Sequence, residues 1–291
     1  MKAMRILAAV GRFPDDDAVL QRGMEIAARH GVPLTIAHVL ETPDDPAAPS
    51  SRNTAETVAR DEIETALHRH GFDPADTEIW IETGSPPRVL VEICKGLKPA
   101  LAVMRAHHKP WLVKKLIGST TEKVIAADIV PVLLVRHPVE KPYGRVVLAI
   151  DGPDAAPAAL SFVGALLPDA ALHLVQAVEV AQQLEESMLR VGLPRSDLVA
   201  HHDVLAQAAE SHLRALTGAL ETGVTWQVLL GEPSAELTRV TQDADVDLIA
   251  LGPNRSGLVR RVFMGSVTQS LLRDAACDVL VGRRSMPVSG M

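Results

Sequence analysis

Aromatic residues make up only 3% of this chain, with one tyrosine, three tryptophans and four phenylalanines. Its cores must therefore be built from Val, Leu, Ile and Ala, as buried parallel strands and packed helices usually are. Cysteine is almost missing. Cys94 and Cys277 cannot form a disulfide framework, and both lie in apolar stretches where a thiol is expected to be buried. No apolar run approaches the roughly 18 residues that a membrane span requires. The first residues, MKAMRILAAVGRFPDDD, hold too short an apolar run for a signal peptide and turn acidic at once. A cytoplasmic location without a membrane span is expected. Positive charge is not in excess either: the formal net charge is -7, which argues against a nucleic-acid binder. The Walker lysine loop, the G-x-G-x-x-G fingerprint and the G-x-S-x-G elbow are all absent.

What the sequence has is itself, twice. Gly84, Pro86, Leu90, Gly118, Ser119, Thr121, Val132, Leu133 and Arg136 recur as Gly231, Pro233, Leu237, Gly265, Ser266, Thr268, Val279, Leu280 and Arg283, all at one offset. The first strands, Arg5 to Val10 and Arg145 to Ile150, match at a slightly smaller offset, so the second copy carries a short insertion after Val180. The segment HPVEKPYG, with two prolines, separates the copies. Domain one is placed at 1–137, a linker at 138–144, domain two at 145–284 and a tail at 285–291.

Short continuous Val/Ile/Leu runs read as strands covered on both faces. They are Ile6–Val10, Leu34–Val39, Thr77–Ile81, Leu101–Met104 and Val132–Val135 in the first copy. In the second they are Val146–Ile150, Ala171–Val175, Thr225–Leu230, Leu248–Leu251 and Val279–Val281. Their alternation with helical segments predicts an α/β fold: two tandem doubly wound domains, each with a five-stranded parallel sheet flanked by helices. Ligands of such sheets bind at the carboxyl ends of the strands. Between the third and fourth strands of domain two, a helix is expected with Ser234 as its cap, after Pro233.

The segment LGPNRSGLVRRVFMGSVTQS (251–270) runs from a strand through a basic loop into a helix. Two readings are open. Gly252 and Gly265 bring bare backbone toward a ligand, and the first N–H groups of the helix at Ser266 form an anion site, helped by Arg255, Arg260 and Arg261. Alternatively, Ser266-Val-Thr-Gln269 is a capping box that stabilises the helix with no ligand, as is Ser119-Thr-Thr-Glu122 in the first copy.

These stretches resemble the universal stress proteins. That family's pattern is Gly, two residues, Gly, nine residues, Gly, then Ser or Thr, between the fourth strand and the last helix, with an aspartate at the end of the first strand. The second copy offers VVLAIDG, VDLIALGPNRSGLVRRVFMGS and CDVLVGR; the first offers ILAAVG, PALAVMRAHHKPWLVKKLIGS and VPVLLVR. The resemblance implies an adenine-nucleotide site of the kind found in some members, for ATP or a relative. Its positions here are Asp151, Val178, Gly252, Arg255, Gly265, Ser266 and Val267. Arg255 stands where the family has its second glycine, either blocking the phosphates or pairing with them. In domain one, Arg105 and His108 replace the loop glycines and Gly11 replaces the aspartate, so this half is a scaffold or a site for a different ligand. The resemblance also implies that the last strands pair into an internal pseudo-dimer; separated halves that stay monomeric and fully folded would count against it. Whether the whole chain forms a further homodimer is open, as are its protein partners.

His68 with His70, His107-His108 and His201-His202-Asp203 are read as surface groups, because a metal site needs three or four ligands in fixed geometry. The only metal envisaged is a Mg ion accompanying ATP. No catalytic base stands out, so binding with at most slow hydrolysis is expected. The stretch Val180 to Leu220, rich in apolar residues, is either a packed connecting helix or the wall of an apolar-ligand pocket. The competing reading of the chain is therefore an interaction module or apolar-ligand binder that takes no nucleotide.

Overall fold

The computed structural model describes residues 4–41, 49–106, 119–152, 156–179, 190, 195–218, 223–252 and 265–283. The chain divides into two compact units, Met1–Pro142 and Tyr143–Met291.

The first unit runs β1 (Ile6–Val10), α1 (Asp17–His30), β2 (Leu34–Leu40), α2 (Pro49–Arg69), a 3-10 turn (Pro74–Asp76), β3 (Thr77–Thr83), α3 (Pro86–Leu97), β4 (Leu101–Arg105), α4 (Ser119–Ala126) and β5 (Val132–Val135). Its strands lie in the order β3-β2-β1-β4-β5, all parallel. The second unit runs β6 (Arg145–Ala149), α5 (Ala156–Leu166), β7 (Ala171–Val178), α6 (Arg195–Gly218), β8 (Thr225–Leu230), α7 (Pro233–Val240), β9 (Leu248–Leu251), α8 (Ser266–Asp274) and β10 (Asp278–Val281). Its order is β10-β9-β6-β7-β8, again all parallel. Each unit is a doubly wound five-stranded α/β fold.

The reason is apolar patterning. Ile6, Leu7 and Ala8 in β1, and Val146, Val147 and Leu148 in β6, are buried without alternation, because helices cover both faces of each sheet. The registers repeat as well: Ile36 pairs with Ala8, and Leu174 pairs with Leu148. α6 packs on the outer strands through Ala209 and Leu213, which are buried, and the Arg214 guanidinium lies 5.8 Å from the Trp226 ring. Ala209 and Leu213 are core there, while Val204 is exposed and Arg214 covers an edge strand.

Polar contacts pin the strand starts. Arg5 donates to Thr35 at 2.9 Å and pairs with Glu78. Asp247 accepts from the N–H groups of Gly144 and Arg145 at 2.7 and 2.9 Å, and the buried Tyr143 hydroxyl donates to Asp278 at 2.5 Å. Tyr143 and Gly144, expected in the linker, are thus tied into the second unit.

The repeated turn glycines share one cause. Gly84 (φ 147) and Gly231 (φ 141) both sit in backbone that side chains rarely adopt, and an added Cβ would lie 3.1 Å from Val89 or Glu236 respectively. The caps that follow them differ. Ser85 precedes α3 and makes no side-chain cap bond, whereas Glu232 accepts from Ser234 and Ala235 N–H at 3.0 and 2.7 Å. This corrects the expectation for Ser234: Pro233 takes the first helical position, so the capping place falls to Glu232. Burial of Glu232 opposes its ionisation, but the hydrogen bonds from Ser234 and Ala235 outweigh this and hold its carboxyl below the usual range.

Candidate functional site

In each sheet the first strand has the second strand on one side and the fourth on the other. The chain reverses direction across the sheet there, leaving a crevice at the carboxyl ends. In the second unit it lies between β6 and β9, where Ala149 is level with Leu251. The strand ends are held by Ile150 N–H to Val175 O (2.9 Å), Gly231 N–H to Val178 O (3.0 Å) and Gly282 N–H to Leu251 O (2.9 Å).

Asp151 follows β6 at this edge and is exposed; Gly152 after it has φ 86. Gly252 follows β9. Val178 ends β7, which runs on beyond the level of β6, because Ala149 is level with Val175. The fold therefore gathers Asp151, Val178 and Gly252 at one sheet edge. A Cβ at Gly252 would lie 3.3 Å from the Ala159 Cβ of α5. This glycine admits close helix approach as well as leaving the crevice bare.

Gly265, Ser266 and Val267 begin α8. The chain leaves β9 at its carboxyl end and must enter the parallel β10 at its amino end. α8 therefore runs back along the sheet with its start at the crevice edge. The capping box is not made. Gly265 occupies the cap with extended backbone (φ -59, ψ 154) and no side-chain bond, and Ser266 is already the first, exposed, helical residue. The first backbone bond closes from Gln269 N–H to Gly265 O at 3.0 Å. Among the described residues no side chain caps the leading N–H groups, which carry the positive end of the helix dipole. In the first copy Ser119 likewise opens its helix; its predecessor lies outside the described residues. Arg255, Arg260, Arg261, His107 and His108 also lie outside them.

The equivalent crevice of the first unit, between β1 and β4, is arranged differently. Gly11 and Arg12 donate their N–H groups to Asp16 Oδ2 at 2.5 and 2.9 Å. Asp16 is 2% exposed. It precedes α1 yet makes no cap bond with its side chain, which turns back to the strand end instead. Arg105, at the end of β4, lies 3.2 Å from Asp15 and 3.8 Å from Asp16. The sequence reading missed Asp16. Its signal was the acidic run Asp15-Asp16-Asp17, which follows the strand-end glycine after Arg12, Phe13 and Pro14, paired with an arginine where the family has glycine.

Other candidate groups have structural roles. His70 sits between Gln21 (2.8 Å) and Asp17 (3.3 Å), fastening α2 to α1. Cys94 is buried, and burial pushes its thiol up to about 12, which leaves it a poor nucleophile. Burial, with the Arg145 charge, lowers the pKa of His173. Among the described residues no three His, Cys, Asp or Glu side chains are gathered to hold a metal ion, and no helix is long and apolar enough to cross a membrane. A groove of about 660 Å³ lies beside β3 and α3, lined by Trp80, Glu82, Arg88, Glu92 and Leu97.

The universal stress protein family model matches residues 2–136 and again 142–283. A protein of Staphylococcus haemolyticus described as a universal stress protein is 27% identical over 154 residues, which is 48% of this chain and 85% of that protein. The crystal structure of a universal stress protein from Archaeoglobus fulgidus is similar in fold with a TM-score of 0.67 at 18% identity, covering 98% of this chain and 100% of that one. Another from Archaeoglobus fulgidus, solved in complex with dAMP, covers 46% of this chain and 98% of that one at 20% identity, with a TM-score of 0.35.

Proposed function

Because the chain belongs to the universal stress protein family, with both halves matched, we propose that it is a stress-response regulatory protein whose C-terminal half binds an adenine nucleotide. The ligand is ATP or a relative, and the N-terminal half is degenerate. One observation carries this reading: α8 begins on Gly265 with no capping side chain, at the sheet edge that also holds Asp151, Val178 and Gly252. An anion there meets unpaired helix N–H groups and a bare strand end. Asp151 is the candidate partner for the ribose or base, Val178 packs against the base, and Gly265, Ser266 and Val267 receive phosphate. Arg255 is proposed to pair with the phosphates, and any Mg ion arrives with ATP. The activity is binding, with at most slow turnover.

The test is equilibrium titration of the purified chain with a fluorescent ATP analogue. Saturable binding that disappears in Gly265→Val supports the reading. Absence of binding at millimolar nucleotide, with partner proteins still captured by both forms, would favour the interaction module instead.

A further inference from the structure

The carboxylate that is missing from the end of β1 has moved inside the N-terminal half. Two successive main-chain N–H groups, of Gly11 and Arg12, converge on one oxygen of Asp16. Such a pair of amides is the kind of concavity that holds anions. Here the anion is the protein's own. Among the described residues the other oxygen, Oδ1, is buried without a hydrogen-bond partner, and the Arg105 guanidinium lies 3.8 Å from it. A buried carboxylate oxygen left in this way costs free energy that a purely structural cap would avoid.

The C-terminal half has the reverse arrangement. Aligned on their strand ends, Asp16 corresponds to Ala156, Arg105 to Gly252 and Gly11 to Asp151. Ala156 is buried at the start of α5, where a methyl group cannot reach into the crevice as a charge. The two arrangements exclude one another. A Cβ at Gly11 would already lie 3.3 Å from Asp16 Oδ2, and an aspartate there would set two carboxylates side by side.

We propose that Asp16 is an internal plug that closes the β1/β4 crevice to anionic ligands, and that the Gly11 and Arg12 amides with the Arg105 guanidinium form a latent phosphate-binding site beneath it. The plug is autoinhibitory in the direct sense: it occupies the donors that a phosphate would use, and its charge repels one. The inference does not rest on nucleotide binding by the C-terminal half, since its readout is confined to the N-terminal strand end.

The experiment is hydrogen exchange of the full-length chain, followed by mass spectrometry of the peptide containing Gly11 and Arg12, with and without millimolar inorganic tripolyphosphate. In the wild type these amides are protected and the anion changes nothing. In Asp16→Ala they exchange about tenfold faster or more, as a lost buried hydrogen bond allows, and tripolyphosphate restores protection. Adding Arg105→Ala to Asp16→Ala removes that restoration. Asp16→Ser, whose shorter side chain removes the carboxylate while still suiting the start of α1, is read in the same way if the alanine variant fails to fold. Protection gained by the wild type on adding the anion, or by neither folded variant, overturns the proposal.

Discussion

The two halves share one fold and differ in where they keep a carboxylate. In the C-terminal half Asp151 is exposed at the strand end, the neighbouring strand ends on a bare glycine, and the helix start nearby is a glycine. In the N-terminal half the strand end is the glycine, the carboxylate of Asp16 is buried behind it, and Arg105 lies beside both acids of the following turn. Three exchanged residues distinguish the two strand ends: Gly11 for Asp151, Asp16 for Ala156 and Arg105 for Gly252. On the proposed reading, the N-terminal sheet keeps its core while Asp16 takes the donors at its carboxyl edge.

The sharpest way to break this comparison is to move the plug. Ala156→Asp places a carboxylate in the C-terminal crevice without an arginine at Gly252 to receive it. We expect a loss of about 3–5 kcal/mol, the cost of an unpaired buried charge, measured by urea unfolding. If it costs nothing, the two crevices are not equivalent. Next, the cores should respond alike: Ile36→Ala and Leu174→Ala remove fully buried side chains from the same register position. Each should cost about 2–5 kcal/mol by the same measurement. A large difference would show that the halves are not packed equivalently around their strands.

A smaller effect separates the caps. Glu232→Gln should cost up to about 1 kcal/mol, less for its exposure, while Ser85→Ala, which loses no cap bond, should cost less still. Since the carboxyl of Glu232 is held below its ordinary value, the wild-type advantage is full above the usual glutamate range. It disappears as pH falls through the lowered value. Unfolding at neutral and at acid pH checks the sign.

Much of this was legible in the chain itself. The strands announce themselves as uninterrupted aliphatic runs, and the repeat places them in order twice. Asp151, Val178 and Gly252 reach one edge because strand order alone dictates it. The caps were harder. Ser234 and Ser266 have the right chemistry, but a cap goes to the residue whose backbone stays extended, and Pro233 and Gly265 decide that. Asp16 was hidden for another reason. Its role depends on a side chain turning back against the helix it precedes, and on Arg105 from a distant strand. Arg255, central to the phosphate reading, lies outside the described residues.

Calorimetric titration of the intact chain with ATP, beside its Gly265→Val variant, tests the central claim most directly. One equivalent bound by the wild type and none by the variant is the predicted result. Two equivalents, undiminished binding by the variant, or no binding by the wild type at millimolar nucleotide would contradict it.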